Sequence, residues 1–86
     1  MATLPTPEDS ARIILAIFAE KHINAGDHLA IGQANMSFLT QGKTAAEFIA
    51  GMRHAIEQGW IEPPTGIMAR LTEFGFSAMG SIGARK

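Results

Sequence analysis

The stretch that decides the fold reads Glu57-Gln58-Gly59-Trp60-Ile61-Glu62-Pro63-Pro64-Thr65-Gly66-Ile67-Met68-Ala69-Arg70-Leu71-Thr72-Glu73. It opens on a helix stop, since Gly59 follows an amphipathic run at the position where glycine relieves the left-handed C-terminal residue. Two short apolar runs come next, Trp60 to Glu62 and Ile67 to Leu71, separated by the turn formers Pro63-Pro64-Thr65-Gly66. Two short strands around a Pro/Gly turn predict a β-hairpin. Thr72 and Glu73 then start a last helical segment through Met79, and Gly80 to Lys86, with two glycines and two basic residues, is expected to be a flexible tail.

Upstream of that stretch the clearest signal is Thr44-Ala45-Ala46-Glu47, a capping box in which Thr44 receives the third amide and Glu47 reaches back. Phe48, Ile49, Met52, Ala55 and Ile56 follow on one helical face. Gln41-Gly42-Lys43 reads as a turn, preceded by a short helix over Gln33 to Thr40 that buries Met36 with Leu39 or Phe38. Asp27 to Ile31 reads as one extended segment around Leu29. The first helix has Thr6 as cap, Pro7 at its first position, and Glu8 and Asp9 at the positive end of its dipole. Along Ser10 to His22, the residues Ile13, Ile14, Ile17 and Phe18 fall within roughly 140°, and Ala11 and Leu15 widen that arc. Asn24-Ala25-Gly26 is expected to end it.

The chain has 86 residues and the length of one domain, expected over residues 1–79, with 80–86 as the tail. Apolar residues make up 47%, which excludes a disordered chain, and the formal charge of −1 excludes one that coats nucleic acid through bulk cationicity. There is no cysteine, so disulfides and thiolate zinc sites are excluded. The start lacks a basic n-region and carries acids where a signal peptide is apolar, and the longest apolar run, Ile13 to Ala19, falls far short of the roughly 20 residues of a membrane span. These features predict a soluble cytoplasmic protein with no membrane association.

The element order is helix, short strand, helix, helix, two-stranded wing, short C-terminal helix. It is mainly α with a small β-hairpin, and it resembles the winged helix-turn-helix domain of small bacterial repressors. Glu57-Gln58-Gly59-Trp60-Ile61-Glu62 resembles the junction of third helix and wing. Arg70-Leu71-Thr72-Glu73-Phe74-Gly75 resembles the L-T-x-x-G exit from wing to final helix. The capping box at Thr44 fits the start of a recognition helix, and the likeness spans about residues 6–79. The resemblance implies a DNA-binding transcriptional regulator with its third helix in the major groove of double-stranded DNA. Under that reading Lys43, Thr44, Arg53 and Arg70 meet phosphates, while Gln33, Asn35 and His54 lie near base edges.

Two features of the sequence pull the other way. The outer face of the third helix carries Glu47 and Glu57 beside Arg53, and the wing tip from Glu62 to Met68 has no Lys or Arg. A winged helix that binds protein and makes no DNA contact is therefore the alternative. The first helix adds a partner question, because its wide apolar arc either centres a three-helix core or leaves Ile13 or Ile17 for a homodimer. No catalytic, cofactor or metal site is expected. His22, His28 and His54 lack the i, i+4 spacing of paired ligands, and Gly42-Lys43-Thr44 lacks the earlier glycine and strand of a phosphate loop. No nucleophile elbow or paired carboxylates suggest an enzyme.

Overall fold

In the computed structural model, which describes residues 6–83 and the side chains of residues 6–79, the helical segments are α1 (Pro7–Glu20), α2 (Ile31–Thr40), α3 (Ala45–Glu57) and α4 (Glu73–Gly83). The strands are β1 (His28–Ala30) and β2 (Met68–Arg70). The fold is thus mainly helical with a two-stranded antiparallel sheet.

Local chemistry sets the helix ends. Thr6 Oγ1 accepts from the Asp9 amide at 3.1 Å, and the Asp9 carboxylate accepts from the Thr6 amide at 3.1 Å, so α1 starts in a reciprocal cap. The same device starts α3 at Thr44 and Glu47, as the sequence predicts. Gly59, at φ 77°, ends α3: its own amide bonds the Ile56 carbonyl and the next amide, from Trp60, bonds that of Ala55. The end of α1 differs from expectation. The helix stops at Glu20, ahead of Asn24-Ala25-Gly26, because His22 takes the left-handed position at φ 60°. Amides of His22 and Ile23 then close onto the carbonyls of Ala19 and Phe18, the paired bonds that usually accompany a glycine stop.

The wing also departs from the expected hairpin. β2 pairs with β1, in the register His28 with Arg70, Leu29 with Ala69 and Ala30 with Met68. Trp60 to Glu62 forms no strand and contributes one bridge, Ile61 to Leu71, with the Glu62 amide on the Arg70 carbonyl at 3.0 Å. The reason is the pair Pro63-Pro64: neither residue has an amide hydrogen, so the ladder breaks after Glu62. It resumes only at the tip, where Thr65 and Met68 exchange backbone bonds of 3.1 Å.

The core is one cluster. From α1 it takes Ala11, Ile14, Leu15, Ile17 and Phe18, from α3 Phe48, Met52 and Ala55, and it is closed by Leu29, Phe38, Ile61, Leu71 and Met79. Phe38 and Phe48 meet edge to face at 5.4 Å, joining α2 to α3. α1 lies centrally: Ile17 is 1% exposed and Ile13 is half-buried against the core, so no large apolar side chain of α1 is left open for a second copy. Ser10 and Gly51 mark the α1–α3 crossing, where a Cβ at Gly51 would lie 2.7 Å from the Ser10 Cβ.

Three expectations about individual side chains are corrected. α2 begins at Ile31, two residues early, because the Ile31 amide is held by the Ile67 carbonyl at 2.8 Å. It buries Ala34 and Phe38, while Met36 is 70% exposed and Leu39 is also open. Positions 34 and 38 share a face, and position 36 lies across the helix from them. On α3, Ile49 is 58% exposed, since Phe48 and Met52 already fill the contact with α1. Finally, α4 continues to Gly83, so residues 80–83 are helical where a flexible tail was expected, and 84–86 lie outside the described residues.

Candidate interaction face

α3 shows the core Phe48, Gly51, Met52 and Ala55. At 100° per residue the opposite side carries Ala46, Ala50, Arg53 and Glu57, with Ile49 on one flank and His54 on the other. The helix thus presents small and apolar side chains with one charge of each sign.

The residues expected to contact DNA are not equally available. Thr44 is engaged as the cap: its Oγ1 accepts from the Glu47 amide at 3.1 Å and lies 3.2 Å from the Glu47 carboxylate. That carboxylate also accepts from the Thr44 amide at 2.8 Å, so an anion already occupies the positive end of α3. Lys43, just before the cap, is half-buried. Arg53 is exposed and enters no ion pair among the described residues. His54 is half-buried and turns its ring edge to face Trp60 at 5.9 Å. Arg12 covers Trp60 as well, at 5.1 Å from the ring centroid, so the indole is held between α1 and α3.

Arg70 is tied down. Its Nη1 donates to Glu62 at 2.9 Å and its Nε to the Gly26 carbonyl at 3.2 Å. It lines a separate cleft with Gly26, Glu62 and Thr72, away from the α3 face. On α2, Gln33 is exposed, whereas Asn35 is half-buried with Oδ1 enclosed and without a hydrogen-bond partner. Of the seven expected contact residues, then, Gln33 and Arg53 are exposed with uncommitted side chains.

Sequence reasoning missed an apolar groove of about 350 Å³ between α3, the start of α2 and the wing. Ile31, Phe48, Met52 and Ile56 line it, Pro64 closes the wing side, and Ile49, Arg53 and Glu57 stand along the α3 side. The signal was present in the unusual pairing of Ile49 with Phe48 on adjacent positions, since one core face does not accommodate both. What hid it was the wing: the Pro63-Pro64 break brings Pro64 alongside α3, and only the tertiary path reveals that. Among the described residues no three His, Asp or Glu side chains gather in a cluster suited to a metal ion, and no helix is long and apolar enough to cross a membrane.

No family model matches the chain, and neither the curated proteins nor the solved structures compared with it give a match.

Proposed function

We propose that this chain is a non-enzymatic winged-helix-type module whose α3 face docks protein. The order helix, strand, helix, helix, wing and C-terminal helix, with the last strand paired to the first, supports the winged-helix description. The observation that carries the docking reading is the groove of Ile31, Phe48, Met52, Ile56 and Pro64, flanked by the exposed Ile49. In a DNA reader this side of the third helix meets a polyanion, and its useful groups are Lys, Arg, Asn, Gln and small hydroxyls. Here the same side offers alanines, isoleucine, one Arg and one Glu. Exposed apolar patches beside a few charges suit protein contact.

A second reading, DNA binding by α3 as a transcriptional regulator, is favoured by Arg53, which is exposed and unpaired, and by Lys43 next to the α3 N-terminus. Each phosphate contact adds through counterion release, so this reading requires binding that weakens steeply with salt.

Two measurements separate them. A photo-cross-linking residue such as benzoylphenylalanine at position 49 is expected to give protein adducts, and one at the α1 position Glu20 none. Titration of the labelled protein with duplex DNA at low salt is expected to leave the amides of Gln33 to His54 unmoved. Absence of adducts at position 49 together with salt-sensitive DNA shifts in that segment would overturn the docking reading.

A further inference from the structure

We infer that the α3 face is an interface between two copies of this chain, paired antiparallel about a two-fold axis between Arg53 and Glu57. The inference rests on the docking reading above and names the partner.

An isologous interface must be complementary to itself, because the same patch serves both sides. The α3 face has this property in shape. It carries an apolar groove over Phe48, Met52 and Ile56, and beside the groove Ile49 projects with 58% of its surface exposed. Recess and projection therefore belong to one patch. Ala46 and Ala50 add no bulk along the outward line of the helix, which lets a second helix approach closely.

The charges select the direction. Arg53 and Glu57 are one turn apart on the outward side, and among the described residues neither enters an ion pair. In a parallel pair, Arg53 would face Arg53 of the partner subunit and Glu57 would face Glu57 of the partner subunit. Turning one helix end for end about an axis between these positions sets Arg53 of each copy beside Glu57 of the partner subunit, twice. Like charges across an interface are disfavoured and opposite ones fix register. A formal charge of −1 per chain leaves little long-range repulsion between copies.

α4 bears another exposed apolar pair, Phe74 at 75% and Phe76 at 44%. It serves as the competing site in the test.

The test is sedimentation equilibrium of the full chain from about 1 µM to about 500 µM, the span over which weak dimers form. A dimer is expected. Arg53→Glu and Glu57→Arg are each expected to weaken it about tenfold or more, and the double variant to recover most of the loss, since the exchanged charges meet again. Ile49→Glu, at a position open in the single chain, is expected to leave the circular dichroism spectrum unchanged and give monomer. A wild-type monomer throughout the range overturns the inference. So does a dimer that ignores Arg53→Glu and dissociates on Phe74→Ser. Cross-linking at position 49 separates the two levels of the reading. An adduct of twice the chain mass supports the second copy. An adduct with a different protein overturns the second copy and leaves docking intact, and no protein adduct overturns both.

Discussion

Gly75 passes so close to Trp60 that a Cβ at position 75 would lie 2.1 Å from the Trp60 carbonyl oxygen. The same residue's amide donates to Thr72 Oγ1 at 3.0 Å, which caps α4. Thr72 Oγ1 in turn lies within hydrogen-bonding reach of the carbonyls of Gly59 and Trp60, and the Thr72 amide donates to Trp60 at 3.0 Å. Leu71 fills the core beside them. The run Leu71-Thr72-Glu73-Phe74-Gly75 therefore has a physical reading: an apolar anchor, a side-chain clasp onto the end of α3, and a glycine where backbone meets backbone.

Gly75→Ala is accordingly expected to destabilise the domain by about 3 kcal/mol or more, because the obstructing atom is a backbone oxygen that cannot rotate away. Urea denaturation monitored by Trp60 fluorescence would register it. A midpoint equal to wild type would mean that α4 does not pack against Trp60 as described.

At Gly51 the added methyl would meet the Cβ and carbonyl carbon of Ser10 at 2.7 and 2.8 Å. Gly51→Ala gains about 1 kcal/mol of helix propensity and loses more to the separation of α1 from α3. The net expectation is a loss of about 1–2 kcal/mol in thermal or chemical melts. An increase in stability would show that the two helices cross with more room than this.

Neighbouring positions on α3 should respond in opposite ways. Phe48→Ala removes an aromatic that is 6% exposed and stacked on Phe38, with an expected loss of about 3–5 kcal/mol in denaturant titration. Ile49→Ser should change stability by no more than about 0.5 kcal/mol, since its side chain is largely in water, while reducing self-association. Equal losses at both positions would place Ile49 in the core.

Glu62→Gln releases Arg70 from its ion pair. Both side chains are about half exposed, so the expected stability change is within about 1 kcal/mol. The freed guanidinium is the sharper readout. If the wing is used on DNA, affinity for duplex DNA in fluorescence anisotropy should rise and its salt slope steepen; unchanged, undetectable binding is the expectation under protein docking.

Thr44→Ala removes the oxygen that accepts the Glu47 amide, and loss of a helix cap costs about 1 kcal/mol. Hydrogen exchange should rise first in the opening turn of α3, from Ala46 to Phe48. Uniform exchange changes across the domain would argue that the cap is not local.

Local chemistry was legible from the residues alone. The caps at Thr6 and Thr44, the stop at Gly59 and the α1 core residues Ile14, Ile17 and Phe18 each depend on neighbours within one or two turns, and the structure agrees with them. Site residues were less legible. Arg70 and Glu62 are eight positions apart and meet only because the wing folds back, which changes Arg70 from a free cation into a paired one. Asn35 shows the same limit, being polar in sequence yet enclosed at Oδ1.

By itself, then, the sequence determined where helices start and stop and which stripes are apolar, because caps and 3.6-residue periodicity act over short range. It did not determine strand partnership. The residues from Met68 to Arg70 had an adjacent segment to pair with, yet two prolines deny that segment its amide donors, and His28 to Ala30 supplies the partner from forty positions away. Nor did it determine which side of α3 stays open. Phe48 and Ile49 are equally apolar in the chain; the fit of α1 against Phe48 buried one and left the other facing outward, beside Arg53 and Glu57.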